Sequence, residues 1–341
     1  MAKSTKQPVV IIPNLNGGAE LLSAVDSLVT QTTAAHIIVV DNASTDDSVA
    51  KLRAKYPDVE VIQHTTNKGY AGGVNPGFKR AMELGADYAA PFNDDAIADP
   101  AWLEKLVQEL DKHRNVGAAA CKVLTADGKR LDSTGDYYTN WGLPYPRGRG
   151  EIDTGQYDEQ RDIFGASGAA SLYRVKALQQ VGLLDEDFFA YYEDVDLSFR
   201  LQLAGWKVRY VPESRVFHKI GMTSGRVKGF TTYQTMKNLQ LLWYKNVPRN
   251  YRWQIGRRYY LAHWLFFMRA VSRGQGWTAL KGDAKGSWLM FTKMRERRRI
   301  QKSKTVSDEY IWSMLVHDLP PNAHALKRLR GLWWKLTRRH A

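Results

Sequence analysis

The sequence is poor in cysteine. One thiol, Cys121, in 341 residues excludes an internal disulfide and any cysteine-rich zinc site, and it fits a reducing compartment. It lies in "VGAAACKVL" among small apolar neighbours, the setting of a buried structural thiol rather than a nucleophile. Apolar runs of spanning length are also missing. The longest late segment, "YYLAHWLFFM" (Tyr259–Met268), is bracketed by Arg257, Arg258 and Arg269 and falls short of the roughly 20 residues a membrane-spanning helix needs. The start, "MAKSTKQPVVIIPNLN", has no apolar stretch of signal-peptide length before its first strand-like run, so secretion is not expected. There is no internal repeat and no low-complexity tract. With 44% hydrophobic and 25% charged residues the composition is that of a folded protein, which argues against intrinsic disorder.

Charge is unevenly spread. The net +14 conceals 25 Lys and Arg against five Asp and Glu from Arg226 onward, and 24 against 30 before it. The tryptophans divide at the same place, eight of 11 lying after Arg226. We therefore expect two parts, residues 1–225 and 226–341, with a boundary near Gly225.

The first part alternates. "VVIIPNL" reads as a strand closed by "NGG", and "AELLSAVDSLVTQ" as a helix with Leu21, Val25, Leu28 and Val29 on one face. "HIIVVDNAS", "TDDSVAKLRAKY" and "VEVIQH" follow as strand, helix and strand. A β-α-β-α-β order implies an α/β fold with a mostly parallel sheet, helices on both faces, and ligands outside the carboxyl ends of the strands. The continuation adds a glycine-rich loop, a helix from about Pro76 to Leu84, and a strand "YAAPF" ending in an acidic turn.

Polar clusters follow three of these strands: Asn14 with Asn16, Asp41 with Asn42, and Asn93 with Asp94 and Asp95. Any one of them is ordinary turn chemistry. Three at successive strand ends predict convergence on one rim. The stretch Thr134–Asp162, rich in Gly, Tyr and charge but without periodicity, reads as a long loop, in substrate contact rather than a disordered flap. In "FFAYYEDVDLSFRLQLAGW" the acids Glu193, Asp194 and Asp196 fall within four positions, behind four aromatics. Desolvated like charges push each other's pKa up, which suits a site for something positive. Asp196 with Arg200 at i+4 reads as a structural pair on a helix, and Trp206 as packing against the sheet.

The runs "VDNASTDDS", "NKGYAGGVNPG", "FNDDA", "GASGAASLYRV" and "FFAYYEDVDLSFRLQLAGWKVRYVPESRVFHKIGMTSG" together resemble family 2 glycosyltransferases of the GT-A fold, most nearly the bacterial rhamnosyltransferases of cell-surface polysaccharide assembly. The resemblance covers about residues 8–225. It implies an inverting transfer from a pyrimidine nucleotide sugar, a dTDP- or UDP-sugar with dTDP-L-rhamnose preferred, to a saccharide or lipid-linked acceptor, with Mg2+ or Mn2+ as cofactor. Galactofuranosyl or N-acetylhexosaminyl transfer from a UDP-sugar is the alternative. "FNDD" matches the family's Asp-X-Asp metal motif, with Asp95 at its metal-binding position. Asn93 stands where the family has Asp, so ribose or water-mediated contact is implied for it, and Asp94 joins the donor-binding set. The resemblance gives Asp41 a hydrogen bond to the base or ribose. Asn14, Asn16, Asn42 and Asn67 belong to the same donor rim, Gly72, Gly73 and Asn75 to the loop beneath the base, and Gly168 to the segment beneath the donor sugar. It makes Asp194 the general base, Glu193 its orienting neighbour, and His218 a third metal or diphosphate contact.

The region 226–341 carries no such signature. "ALKRLRGLWWKLTRRH" places Leu326, Leu329, Trp333 and Leu336 on one stripe with basic residues largely elsewhere, the pattern of a helix lying in an anionic membrane surface, and "RERRRIQKSK" adds charge. A basic bundle for homo-oligomer contacts and nucleic-acid binding are the competing readings. Interfacial Trp favours the membrane, and no nucleic-acid module accompanies the charge. A peripheral position on the cytoplasmic face of the cell membrane is therefore expected.

Overall fold

The β-branched run after Pro8 forms β1 (Val9–Asn14). The chain then alternates through α1 (Gly18–Val29), β2 (His36–Asp41), α2 (Ser48–Lys55), β3 (Glu60–Gln63), α3 (Gly69–Glu83) and β4 (Tyr88–Pro91). Next come β5 (Ala96–Ala98), α4 (Trp102–Lys112), β6 (Val116–Thr125), β7 (Leu131–Ser133), β8 (Asp136–Tyr138), β9 (Pro144–Pro146), β10 (Asp162–Ile163) and β11 (Leu172–Arg174). The first part closes with α5 (Val175–Val181), α6 (Glu193–Leu203) and β12 (Lys207–His218). Helices α7 (Phe230–Asn246), α8 (Arg252–Ser272), α9 (Gly276–Thr292), α10 (Met294–Lys302) and α11 (Asp308–Met314) make up the remainder. The structure is a computed structural model describing residues 7–219 and 227–321. The expected boundary near Gly225 and the amphipathic stretch carrying Leu326, Leu329, Trp333 and Leu336 lie outside the described residues.

The main sheet runs β10-β12-β6-β11-β4-β1-β2-β3, with β5 pairing to β12 and β7 to β6. Strands β4, β1, β2 and β3 are mutually parallel, as are β6 and β12, while β11 runs antiparallel to both neighbours. Strand order reverses between β4 and β1, the place where an open α/β sheet leaves a crevice for ligand. Register then sets the rim: Asn14 lies directly opposite Asp41.

Period-2 alternation divides β1 between two cores. Val10 and Ile12 pack with Leu21, Val25, Leu28, Trp102 and Leu106 on one face of the sheet. Val9 and Ile11 pack with Val74, Phe78, Leu197 and Leu201 on the other. Val29, expected on the buried face of α1, is 48% exposed at its end. A third core joins Phe164, Phe188, Val195 and Phe199 to Leu239, Leu242, Tyr259 and Ile311, so α7, α8 and α11 share apolar surface with the α6 layer.

Two expectations need correction. The glycine-rich segment is not a loop before a helix at Pro76: α3 already begins at Gly69. Glycine disfavours helix, yet here it permits close approach, because a Cβ on Gly77 would meet Ile11 Cγ2 at 2.4 Å and one on Gly73 would meet Asn42 Nδ2 at 2.8 Å. Pro76 cannot donate to the carbonyl of Gly72, and His64 Nε2 lies 3.2 Å from that oxygen instead. The stretch Thr134–Asp162 is likewise no open loop. It folds back as the β8–β9 hairpin around Arg147, which is fully buried. The Arg147 guanidinium donates to Thr134 O, Thr134 Oγ1 and Gln160 O and lies 4.7 Å from the Tyr210 ring centroid.

The expected Asp196–Arg200 pair is present at 2.9 Å and belongs to a larger buried network. Lys245 of α7, fully buried, reaches Asp196 at 3.1 Å, Glu296 at 3.0 Å and the carboxylate of Asp185. Asn246 donates to Asp196 at 2.7 Å. Burial acts to raise both Asp185 and Asp196, but the surrounding cations, Lys245 foremost, hold both below the ordinary carboxylate range. Removing one member of such a network leaves charge buried and unpaired, so Lys245→Met is expected to destabilise the fold by about 3–5 kcal/mol in urea unfolding at neutral pH. Depressed carboxyl pKa values contribute stability above about pH 4 that is lost as pH falls, so the variant's deficit should shrink in acid. Unfolding of the variant at the wild-type urea concentration would show the network to be inert.

Candidate active site

At the carboxyl ends of β1 and β2, most polar side chains are occupied in building the rim. Asn14 donates to Asp41 Oδ1 at 3.3 Å, Ser44 Oγ at 3.0 Å and Ser48 Oγ at 3.2 Å, and accepts from the Gly17 N–H. Asn16, at φ 55°, accepts from Thr45 N at 2.7 Å and Asp46 N at 3.2 Å. Asn42 clamps the start of α3, donating to Gly69 O at 2.8 Å and accepting from Lys68 N at 3.0 Å. Asn67 accepts from Gly69 N at 2.8 Å. Asn75 faces away from the rim. Its amide donates to Leu184 O and Glu186 and accepts from Leu184 N, so it ties α3 to the segment before α6. Gly72 and Gly73 sit inside α3, not on a loop. Asp41 is left with its Oδ2 approached only by Gln63, at 3.5 Å. Its Oδ1 accepts from Asn14 and from Ser44 N, so Oδ2 is the oxygen left to a ligand.

The β4–β5 turn brings the third cluster to the same rim. Asp95 Oδ1 lies 3.0 Å from His218 Nε2, at the end of β12, and the Asn93 amide is 3.1 Å from the same nitrogen. His218 Nδ1 donates to Asp132 Oδ2 at 2.9 Å, and Arg149 holds Asp132 Oδ1 at 2.8 Å. Burial opposes charge on the imidazole, but hydrogen bonds to the Asp132 and Asp95 carboxylates prevail and lift it to about 9. Asp94 packs against Gly17 and is pushed up to about 7 by burial and then by the charge of Asp95.

This donor set fits a hard divalent cation. A carboxylate and an imidazole oriented by a second carboxylate are expected ligands, the imidazole having to give up its Nε2 proton to the cation, and two adjacent acids in poor solvent favour added positive charge. No group of three or more His, Cys, Asp and Glu gathers to enclose a metal among the described residues, so water and ligand oxygens would have to complete the shell.

Across the cleft, α6 opens with the acidic trio. The aromatic run before it is strained, with Phe189, Tyr191 and Tyr192 at φ 63°, 71° and 71°. Helix α7 holds it there. Asn238 Nδ2 lies within hydrogen-bonding distance of Phe188 O, Ala190 O and Tyr191 O at 2.8–2.9 Å, and Lys237 donates to Asp187 O and Phe188 O. Asp194 accepts from Gly168 N and from Val195 N, each at 2.8 Å. Burial raises its pKa despite those donors. Glu193 is driven well above the ordinary range by burial and then by Asp194, and its Oε2 has no partner. Asp136 on β8 is raised in the same way, by burial and then Asp194, and its Oδ2 is also unpartnered. The Tyr70 hydroxyl donates to Gly168 O. The arrangement pairs a carboxylate held by two backbone donors with neighbours whose pKa values are pushed up by burial and by its charge, a division suited to general base chemistry.

Sequence reasoning missed Asp132, Asp136, Arg149, Tyr70 and the two α7 residues Lys237 and Asn238. The acids lie in "LDSTGDYY", whose short polar alternation was the one available signal.

Residues 9–182 match the sequence model of Glycosyl transferase family 2. The N-acetylglucosaminyl-diphospho-decaprenol L-rhamnosyltransferase of Mycobacterium tuberculosis is 30% identical over 209 residues, covering 56% of this chain and 68% of the relative. A dTDP-rhamnosyl transferase of Shigella flexneri is 25% identical over 219 residues, covering 62% of this chain and 71% of the relative. Among solved structures, S. aureus TarS 1–349 in complex with UDP-GlcNAc aligns over 92% of this chain and 94% of its own, with TM-score 0.56 at 15% identity. The Pyrobaculum calidifontis mannosyltransferase in complex with GDP-Man and Mn2+ aligns over 92% and 88%, with TM-score 0.52 at 16% identity. The fold is GT-A.

Replacing Asn238 by Ala removes the donor that holds three carbonyls of the strained run. Thermal unfolding should report a loss of about 1–3 kcal/mol, and the released aromatics should raise acrylamide quenching of aromatic fluorescence. A variant with wild-type stability and quenching would assign the strain to the run itself.

Proposed function

Because the chain belongs to the family 2 glycosyltransferases, we propose that it moves L-rhamnose from dTDP-rhamnose to a hydroxyl of a saccharide, lipid-linked acceptor, by a single inverting displacement. The observation that carries this reading is the Asp194 carboxylate at the head of α6, partly exposed, raised in pKa and aimed by the N–H groups of Gly168 and Val195. A one-step displacement needs one base on the face opposite the leaving group and no covalent nucleophile. In this reading Asp194 takes the acceptor proton as its hydroxyl attacks the anomeric carbon, the bond to the diphosphate oxygen breaks, and the nucleotide leaves. Glu193 and Asp136, whose pKa values burial and the neighbouring Asp194 push up, are assigned to hydrogen bonds with sugar oxygens, and Asp194, with its two backbone donors, to the proton transfer.

Donor recognition is assigned to Asp41 for the base or ribose, Asn93 for the ribose or a water, and Gly168 beneath the sugar. Asp95 and His218 would hold Mg2+ or Mn2+, with Asp132 fixing the imidazole. When bound, such a cation supplies positive charge to the departing diphosphate. The choice of rhamnose and of a lipid-linked acceptor is supported by the two rhamnosyl relatives, one of which is named for a decaprenol-linked substrate. Reaction at the cytoplasmic membrane face follows from such an acceptor.

A donor panel of dTDP-rhamnose, UDP-galactofuranose and UDP-N-acetylglucosamine, assayed with Mn2+ and then with EDTA, is expected to give metal-dependent turnover of dTDP-rhamnose alone. Selective turnover of either UDP-sugar would replace the donor assignment. Asp194→Asn should lower transfer by about 10²–10⁴-fold while donor affinity stays unchanged. Wild-type turnover in that variant would remove Asp194 from its role. Asp95→Ala is expected to abolish the metal-dependent part of donor binding, measured by calorimetry, and unchanged metal dependence would move the cation elsewhere.

A further inference from the structure

Helix α8 is apolar on two opposite sides. Ile255, Tyr259, Ala262 and Ala270 are buried. On the outside, Trp253, Tyr260, Leu261, Trp264, Met268 and Val271 recur at helical spacing and remain 43–81% exposed. Helix α9 repeats the arrangement, burying Ala279, Gly282, Gly286 and Leu289 and exposing Trp277, Leu280, Trp288 and Phe291. Of the 15 large hydrophobic side chains left exposed among the described residues, 11 lie between Trp253 and Met294. Scattered singly they would be ordinary surface, but clustered on two neighbouring helices they mark a contact face. Several of them, Tyr260, Trp264, Leu280, Phe291 and Met294, also line a groove of about 620 Å³ that opens in this face.

The charge around the face has one sign. From Arg252 to Lys302 there are 13 Lys and Arg and two acids. Both acids have inward partners: Glu296 pairs with Lys245 and Lys293, and Asp283 with His263 and Gln240. Arg257, Arg269, Arg273, Lys281, Lys285, Arg295, Arg298 and Arg299 are exposed. Lys285 Nζ lies 3.9 Å from the Trp288 ring centroid and Lys281 Nζ 5.4 Å from that of Trp277, so aromatic bodies and cationic heads occur side by side. A second copy of the chain would set these like charges against each other. A nucleic acid would meet the cations but leave the aromatic side chains and the groove in water. An anionic bilayer satisfies both, phosphates meeting Lys and Arg while Trp, Leu and Phe enter the acyl boundary.

We propose that the α8–α9 face is the surface on which this protein docks to an anionic phospholipid bilayer. Helix α7 links that face to the chemistry: Met236 and Gln240 line the groove, while Lys237 and Asn238 between them hold the strained run before Asp194. Docking thereby sets the acceptor side of the cleft at the membrane interface, a consequence that rests on the lipid-linked acceptor proposed above.

The test is co-sedimentation of the full chain with vesicles of phosphatidylcholine alone and of phosphatidylcholine with phosphatidylglycerol, with tryptophan emission read in parallel. Three double variants are compared with wild type: Trp264→Ala with Phe291→Ala, Lys281→Glu with Lys285→Glu, and Trp333→Ala with Trp334→Ala in the basic stretch nearer the carboxyl terminus. The first two pairs are exposed side chains, so wild-type melting is expected of them. The expected result is binding to the phosphatidylglycerol vesicles with a blue shift, weakened about tenfold or more in both face variants and retained in the third. Retention in the face variants with loss in the third, or no binding by wild type, overturns the proposal. So does self-association that the face variants abolish without any vesicle binding. Donor turnover is followed separately, because vesicle binding without turnover would fail the rhamnosyltransfer reading and leave the docking face standing.

Discussion

Four carboxyl groups, Asp136, Glu193, Asp194 and Asp196, gather in one region of the fold, Asp194 partly exposed and the other three buried, and the architecture around them is a set of different answers to their mutual repulsion. Asp196 is kept ionised by Arg200, Lys245 and Asn246. Asp194 is solvated by two backbone N–H groups. Glu193 is helped by a backbone N–H and by the charge of Lys237, and Asp136 by that of Arg149, but each keeps an unpartnered oxygen and burial prevails, driving both toward the protonated form. One trio of acids at a helix start thus divides into a structural anion, Asp196, and two acids of raised pKa, to which the proposed reaction gives the parts of base and hydrogen-bond donor, and the division follows from which cation or N–H reaches which oxygen.

Those partners come largely from outside the α/β sheet. Lys245 and Asn246 neutralise Asp196, Lys237 and Asn238 fix the backbone of the aromatic run, and all four stand on α7. Three consecutive-region residues in left-handed geometry do not persist without such over-determination. The sheet supplies the rim and α7 supplies the constraint on the run before Asp194, and the third core runs continuously from Phe188 and Phe199 into Leu239 and Tyr259.

The sequence made β1, α1, β2, α2, β3 and the strand before Asn93 legible because each buries a strongly periodic apolar set; strand-end polarity then pointed to Asp41 and Asp95, and the acidic run behind four aromatics to Asp194. What was hidden had physical causes. The early start of α3 rests on tertiary contact, since Gly73 and Gly77 form helix only because β1 and Asn42 lie against them. The hairpin bearing Asp136 has no period to detect, as its order comes from one buried arginine rather than from an amphipathic pattern. Asn75 sits in the right motif but its amide is claimed by Leu184, a distant main-chain partner that no local pattern announces. His218 was visible only by its placement, whereas Asp132, which orients it, was not visible at all.

The uneven charge gives the two halves complementary deficits. Residues before Arg226 hold 30 acids against 24 Lys and Arg, and two of the Arg nearest the cleft are already engaged, Arg149 by Asp132 and Arg200 by Asp196. A nucleotide diphosphate entering beside Asp94 and Asp95 therefore meets negative charge that neither of these two arginines is free to offset, which is the electrostatic case for a divalent cation at Asp95 and His218 in the proposed reaction. The region after Gly225 has the opposite surplus and directs it outward, its two acids in α9 and α10 being turned toward internal partners. Basic side chains placed on the site face would compete for Asp194 and lower its pKa, weakening it as a base. In the proposed reaction, exposed cations carried on α8, α9 and α10 add nothing to the lowering that Arg149 already exerts on Asp194, and their charge stays free to attract an anionic surface.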